Sequence, residues 1–292
     1  MTADVVVGVD GSPSSHAATV WAAGDAARRA CGLRIVHACS PWYDTPLRTP
    51  PGFRDSMDEW CDDVLRTAAG LAREQAPGLR TESVLEVGEP AEVLRRAAEG
   101  AQEVVVGSRG HGGFAGLLLG SVSLALAGHV TPPVVIVKDV PETAHGEIVV
   151  GIDGSEHSRA ALAYAFGEAA LRGARVHAVH TWFVPYMGVA ATAYATVTDD
   201  IIDAEQRVTR EALAPWRERF PGVPVRETVE CGHPVAVICD ASAGADLAVV
   251  GSRGLGRLES AVVGSVSHGV MHHARCPVAV VGTYAPPTGP AA

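Results

Sequence analysis

The chain has 292 residues, enough for two domains of ordinary size, with 47% hydrophobic and 19% charged residues, a balance that supports packed cores and excludes a disordered chain. A formal net charge of −10 excludes nucleic acid or an anionic membrane as the main partner, because both need a basic face. It leaves room for an anionic small molecule, which backbone N–H groups at a helix start can hold locally.

In chain order, MTADVVVGVDGS runs straight into a strand, with no basic segment typical of a secretory signal. Val5-Val6-Val7 is a continuous apolar run, as in a parallel strand buried on both faces. Ser12 then caps a helix of about fifteen residues that Pro13 opens. Leu33–Cys39 reads as a second strand, followed by a Pro-rich connection (40–53) and a helix to Gln75. A strand at Thr81–Val87, a helix from Pro90, a strand at Val104–Val106, a helix from Ser121 to about Gly128 and a strand at Val134–Val137 complete the first half. The stretch from Phe114 to Gly128 is broken by glycine and serine and is too short to span a bilayer, so a cytoplasmic protein without a membrane partner is expected.

The second half repeats this order. Strands are expected at Ile148–Val150, Arg175–His180, Val225–Val229, Leu247–Val250 and Val278–Val281, with helices from Ser155, Ile201, Val235 and Ser265. The alternation predicts an α/β fold in which each half is a doubly wound, five-stranded parallel sheet with helices on both faces. The boundaries expected are 1–139 for the first domain, 140–146 for a linker, 147–284 for the second domain and 285–292 for a flexible tail.

The repeat is written most clearly in its glycine turns. Gly107-Ser108-Arg109-Gly110 recurs as Gly251-Ser252-Arg253-Gly254, and Gly120-Ser121-Val122 recurs as Gly264-Ser265-Val266, all at an offset of 144. Gly8-Val-Asp10 recurs as Gly151-Ile-Asp153 at an offset of 143. In an open parallel sheet, ligands bind beyond the carboxyl ends of the strands, where these turns fall. Gly107 and Gly110 can take positive φ and let backbone approach a ligand closely. Ser121 and Ser265 start helices whose free N–H groups suit a phosphate. A lone turn of this kind is most simply a tight βα connection; two in register, each with its aspartate, point to a phosphate-binding design used twice.

The pattern G-x2-G-x9-G-S after a fourth strand, with an aspartate after the first, resembles the ATP-binding branch of the universal stress protein family, in tandem form. The resemblance covers about 3–138 and 146–283 and implies a flavodoxin-like or Rossmann-like fold in each half, with domains pairing through their last strands. It further implies ATP held by Gly8, Gly107–Gly113 and Gly120–Val122 in one half, and by Gly151, Gly251–Arg257 and Gly264–Val266 in the other. Within those stretches stand Ser108, Arg109, His111 and Gly112, and in the second half Ser252, Arg253, Leu255 and Gly256. Adenine would lodge near Ala38 or Thr181, and Asp10 and Asp153 would lie beside the nucleotide, where Mg²⁺ can join them. The implied role is a nucleotide-dependent stress sensor or regulator, a homodimer acting through a regulatory protein partner.

Other readings stay open: a slow Mg-dependent ATPase or phosphotransfer enzyme using the two aspartates, and a module that binds AMP or cyclic AMP or pairs like a chaperone. There is no Walker A lysine and no nucleophile elbow, so no catalytic residue is assigned and binding is favoured over turnover. The halves differ at LALAGHVTPP against HGVMHHARCP and at His111-Gly-Gly against Leu255-Gly-Arg257, which predicts tighter binding in the second. His268 and His272, four apart with His273 and Cys276 nearby, offer only a weak metal signal. Cys31, Cys39, Cys61, Cys231, Cys239 and Cys276 form no CxxC pair and no close ligand spacing, which predicts reduced core thiols and no metal held by protein groups alone.

Overall fold

The computed structural model describes residues 3–39, 53–111, 119–139, 143–182, 198–254 and 263–282. The chain divides into two units, one of residues 1–142 with 276–282 and one of residues 143–275 with 283–292.

In the first unit the chain alternates β1 (Val5–Val9), α1 (Pro13–Arg28), β2 (Leu33–Cys39), α2 (Phe53–Gln75), β3 (Thr81–Val87), α3 (Pro90–Ala97), β4 (Glu103–Gly107), α4 (Ser121–Leu126) and β5 (Val134–Val137). The strand order is β3-β2-β1-β4-β5, all parallel. The central strand β1 is buried along its whole length, which is why its sequence is an unbroken apolar run. β3 lies at the edge, and none of its residues is fully buried. β10 (Val278–Val281) also belongs to this unit and pairs antiparallel with β5, Val280 opposite Val134. The α/β, mostly parallel architecture is the one the alternation predicts; a strand from the far end of the chain beside β5 is not visible in any local pattern.

The second unit contains β6 (Glu147–Ile152), α5 (Glu156–Arg172), β7 (Arg175–Trp182), α6 (Thr198–Arg219), β8 (Val225–Cys231), α7 (Pro234–Ala241), β9 (Leu247–Gly251) and α8 (Ser265–His273). Its parallel strands run β9-β6-β7-β8. Both long first helices begin alike. Ser12 Oγ accepts from Ser15 N at 3.2 Å and Ser155 Oγ from Ser158 N at 3.1 Å, satisfying one of the N–H groups a helix start leaves free.

Charge inside the first unit is paired. Arg29 from the end of α1 reaches both Asp25 and the fully buried Glu103, whose Oε2 it meets at 3.0 Å. The second unit instead sets Glu147 between Arg175 and His177. A buried carboxylate needs such partners, since an uncompensated one is strongly unfavourable away from water. Among the described residues no helix is long and apolar enough to cross a membrane.

Candidate functional site

The strand order reverses direction around β1 and β4 in the first unit and around β6 and β9 in the second. In an open sheet such a switch point leaves a crevice at the strands' carboxyl ends. A cavity opens at each. In the first unit it has a volume of about 510 Å³ and is lined by Gly8, Asp10, Ala38, Gly107, Arg109, Gly110, Gly120, Ser121 and Val122, all expected from sequence. In the second it has a volume of about 330 Å³ and is lined by Gly151, Asp153, Thr181, Gly251, Arg253, Gly254, Gly264, Ser265 and Val266. Ser108 and Ser252 stand apart from the lining, each buried. Their carbonyls accept from Gly120 N and Gly264 N at 2.7 Å, closing the loop beneath the helix start. His111 is exposed and also off the lining. Gly112, Gly113, Leu255, Gly256 and Arg257 lie outside the described residues, as do 40–52 and 183–197, most of the two long connections after the second strands.

The aspartates brace the loop. Asp10 Oδ1 accepts from Ser12 N at 3.0 Å and Oδ2 from His111 N at 3.1 Å, joining the end of β1 to the glycine turn. Burial pushes the Asp10 pKa up, but bonds from Ser12, His111 and Ser15 outweigh it and hold the carboxyl below its ordinary value. In the second unit Asp153 Oδ1 accepts from Ser155 N at 2.9 Å.

The glycines act by what they lack. Neither Gly107 nor Gly110 has positive φ, so the expectation of a left-handed turn there is corrected. A Cβ on Gly107 would lie 2.8 Å from the Ser14 carbonyl carbon, and one on Gly251 2.8 Å from that of His157. These glycines let the first turn of α1 or α5 press against the loop. At Gly110 and Gly254 a Cβ would strike the Asp10 or Asp153 carboxylate. The turn that does need positive φ comes directly after the aspartate, at Gly11 (+83°) and Gly154 (+79°).

Hydroxyls complete the frame. Ser123 Oγ donates to Gly107 O at 2.8 Å, and Ser267 Oγ donates to Gly251 O, so the helix start is tied to the end of β4 or β9. Ser12 Oγ donates to Arg109 O at 3.2 Å, and Ser14 Oγ donates to the same carbonyl. The caps Gly120 and Gly264 place no side chain on the first N–H groups of α4 and α8, which leaves those donors available at the cavity's polar end. The opposite end is apolar: Val36, Ala38, Leu94 and Val106 in the first unit, Val179, Ile238 and Val250 in the second.

Leu94 and Ile238, together with Pro90 and Pro234, escaped the sequence reading. The signal was present, since Gly88-Glu-Pro90 and Gly232-His-Pro234 keep the 144-residue offset of the loops. Gly8 and Gly151 make room for them: a Cβ there would lie 2.6 Å from Leu94 Cδ1 and 2.8 Å from Ile238 Cδ1. Among the described residues no cluster of metal-ligand type includes Asp10 or Asp153, or the His268–His272 pair, whose rings stand 4.5 Å apart.

Fold and site together define a tandem α/β protein with one glycine-framed crevice per repeat. A model of the universal stress protein family matches residues 1–138 and again 145–282, and the chain belongs to that family. It is similar to universal stress protein Rv2005c of Mycobacterium tuberculosis, 38% identical over 288 residues, which cover 94% of this chain and 96% of the relative. It is also similar to Rv2623 of the same organism, at 35% identity over 293 residues, with 94% and 95% covered. A universal stress protein structure from Archaeoglobus fulgidus shares the fold, with a TM-score of 0.68 at 24% identity and 96% of each chain covered.

Proposed function

We propose that each unit holds one adenine nucleotide, ATP foremost, and that the chain acts as a nucleotide-dependent regulator. The carrying observation is that one construction occurs twice: a crevice with an apolar slot at one end and a glycine loop with uncapped helix N–H groups at the other. The base fits the slot beside Ala38 in one unit and Thr181 in the other. The phosphates fit the loop, where backbone N–H groups and the Ser121 or Ser265 hydroxyl donate. One helix terminus contributes only about 0.3–1 kcal/mol to an exposed anion, so loop, serine and Arg109 or Arg253 act together. Asp10 and Asp153 fit Mg²⁺ as well, through lone pairs that the loop bonds leave over; the ion would offset phosphate charge there.

The residues at hand favour binding over turnover. The oxygens of Asp10 are committed to Ser12 and His111, which suits a brace better than a base that must give and take a proton. The regulatory reading places a change of loop order between empty and filled states, read by a protein partner. A homodimer and a cytoplasmic location complete this reading.

The test is thermal unfolding with Mg-ATP, set against ADP, AMP, cyclic AMP and GTP. Ligand at 100 times its dissociation constant adds about 2.7 kcal/mol, a clear shift. The shift with ATP is expected to vanish in a Gly110→Ala/Gly254→Ala variant. A shift with AMP or cyclic AMP alone would replace ATP by that ligand, and no shift with any nucleotide would overturn the proposal.

A further inference from the structure

Beneath the base end of the first crevice, on the other face of β2, lies a cluster that nucleotide binding does not use. His37 and Cys39 alternate with Ala38, so Ala38 lines the crevice while the other two point the opposite way, toward α2. Cys61 of α2 meets them there. His37, Cys39 and Cys61 are all at least 96% buried, and their nearest ligand atoms lie within 4.8 Å of one another. The two sulfurs are joined in the structure, which corrects the expectation that every cysteine is a reduced core thiol.

His37 is set as a metal-binding histidine is set. Its Nδ1 lies 2.7 Å from Val9 O, and a carbonyl only accepts, so Nδ1 carries the donated proton. Such a bond on the far nitrogen is what fixes the ring of a metal-ligating histidine. Trp60 packs edge-on against the same ring, centroids 5.2 Å apart. Nε2 is buried and has no hydrogen-bond partner among the described residues. A buried polar atom left so is unfavourable, and the same imidazole belongs to the cluster with the two sulfurs.

The second unit supplies the contrast. His180 holds the matching place on β7, and its Nδ1 donates to Ile152 O at 2.9 Å. There Glu205 of α6 lies 2.8 Å from Nε2, and Trp182 stands where β2 has Cys39. That histidine is satisfied by a carboxylate; His37 faces two thiol-bearing residues instead.

We propose that the reduced Cys39 and Cys61, with His37 Nε2, form a site for one thiol-seeking divalent ion, Zn²⁺. Reduction by two equivalents of a small thiol breaks the sulfur–sulfur bond and yields two protein thiols and the small thiol's disulfide. Zn²⁺ then displaces both thiol protons to water and takes two thiolates and one imidazole lone pair. Two thiolates neutralise the ion, which suits a buried site. Bond lengths of about 2.3 Å to sulfur and about 2.0–2.1 Å to nitrogen place neighbouring ligand atoms well inside the present spread.

The experiment uses the full chain, reduced with a phosphine that is then removed, and titrated with Zn²⁺ against a chromophoric chelator and separately with Co²⁺. The reduced chain is expected to retain one Zn²⁺ and to give thiolate-to-cobalt charge-transfer absorption; the oxidised chain should do neither. Cys61→Ser should abolish both signals, while His37→Gln should weaken Zn²⁺ by at least about tenfold, the loss typical when only a supporting residue of a metal site is removed. A Cys31→Ser/Cys231→Ser variant should bind as the natural chain does. Release of Zn²⁺ by the reduced natural chain, equal binding when oxidised, or full retention in Cys61→Ser would overturn the proposal. The redox comparison stands even where Cys61→Ser fails to fold, and nucleotide binding bears on none of it.

Discussion

Where α1 ends, the first unit carries Ala30 at φ +52°; where α5 ends, the second carries Gly173 at φ +63°. The backbone follows the same left-handed step into the next strand with or without the residue that favours it. The last helices diverge further. α4 stops at Leu126, with Gly128 beyond it at φ +76°, whereas α8 runs on to His273. The helix expected to reach about Gly128 therefore ends two residues earlier, with the glycine past its end. Against these differences, three bonds recur in both units: aspartate to serine N–H, serine Oγ to the strand-end glycine carbonyl, and glycine N–H to the loop serine carbonyl. C-caps and helix lengths vary between the units, whereas both crevices keep an aspartate, two glycine turns and a serine at the helix start.

The comparison is broken most directly at Gly107 and Gly251. Alanine at either drives a Cβ into backbone rather than into a movable side chain, so each should cost about 1–3 kcal/mol in denaturant unfolding. A penalty in one unit alone would mean that the two loops are not built alike. Next, Gly110→Ala and Gly254→Ala press on the bracing carboxylate rather than on backbone, so they should cost less stability than the first pair but weaken ATP in their own unit at least about tenfold, ~1.4 kcal/mol, by calorimetric titration. The surviving site should be the tighter one in the Gly110→Ala chain, since the second unit is expected to bind more strongly; equal affinities would remove that asymmetry.

Ala30→Gly should gain, and Gly173→Ala lose, about 1 kcal/mol, because nothing lies within 4 Å of the Gly173 Cβ position and only the backbone preference is at stake. The smallest effects concern pH. Burial, outweighing the nearby Glu147, lowers the pKa of His177 from its ordinary 6.5. The unfolded chain therefore takes up the proton first, and stability is complete above pH 6.5 and falls as pH drops below it. His177→Gln should flatten that fall; the first unit has Arg34 at this register and no counterpart effect. Asp10, lowered from 3.8, contributes stability present above that value and lost as pH falls through its native value, so Asp10→Asn should flatten the acid limb of the same curve.

The strands and the first helices were legible because burial on both faces writes an unbroken apolar run, as at Val5–Val9, and because Ser12-Pro13 marks a helix start. The crevice was legible through repetition: one glycine turn is ambiguous, but two in register with Asp10 and Asp153 are not. What stayed hidden depends on contacts between distant segments. No local pattern fits Leu94 against Gly8 or brings Cys61 from a helix to His37 and Cys39 on a strand, and β10 beside β5 was legible only through the family resemblance, which implies pairing of last strands. The glycines do line the crevice, but Gly107 and Gly110 lack the positive φ expected of them, and their crowding by Ser14 and Asp10 exists only once α1 and β4 are side by side.

The bond from His111 N to Asp10 joins residues 101 apart, and those between Ser14 and Arg109 join residues 95 apart. Such contacts form only after the intervening chain has been wound through three strands and their crossovers, a slow step because loop closure precedes its reward. The bonds that close the first unit's crevice are thus expected to form late in folding. A molecule held there stabilises the finished state but not the barrier leading to it, so it prolongs the lifetime of the folded protein and leaves the speed of folding nearly untouched.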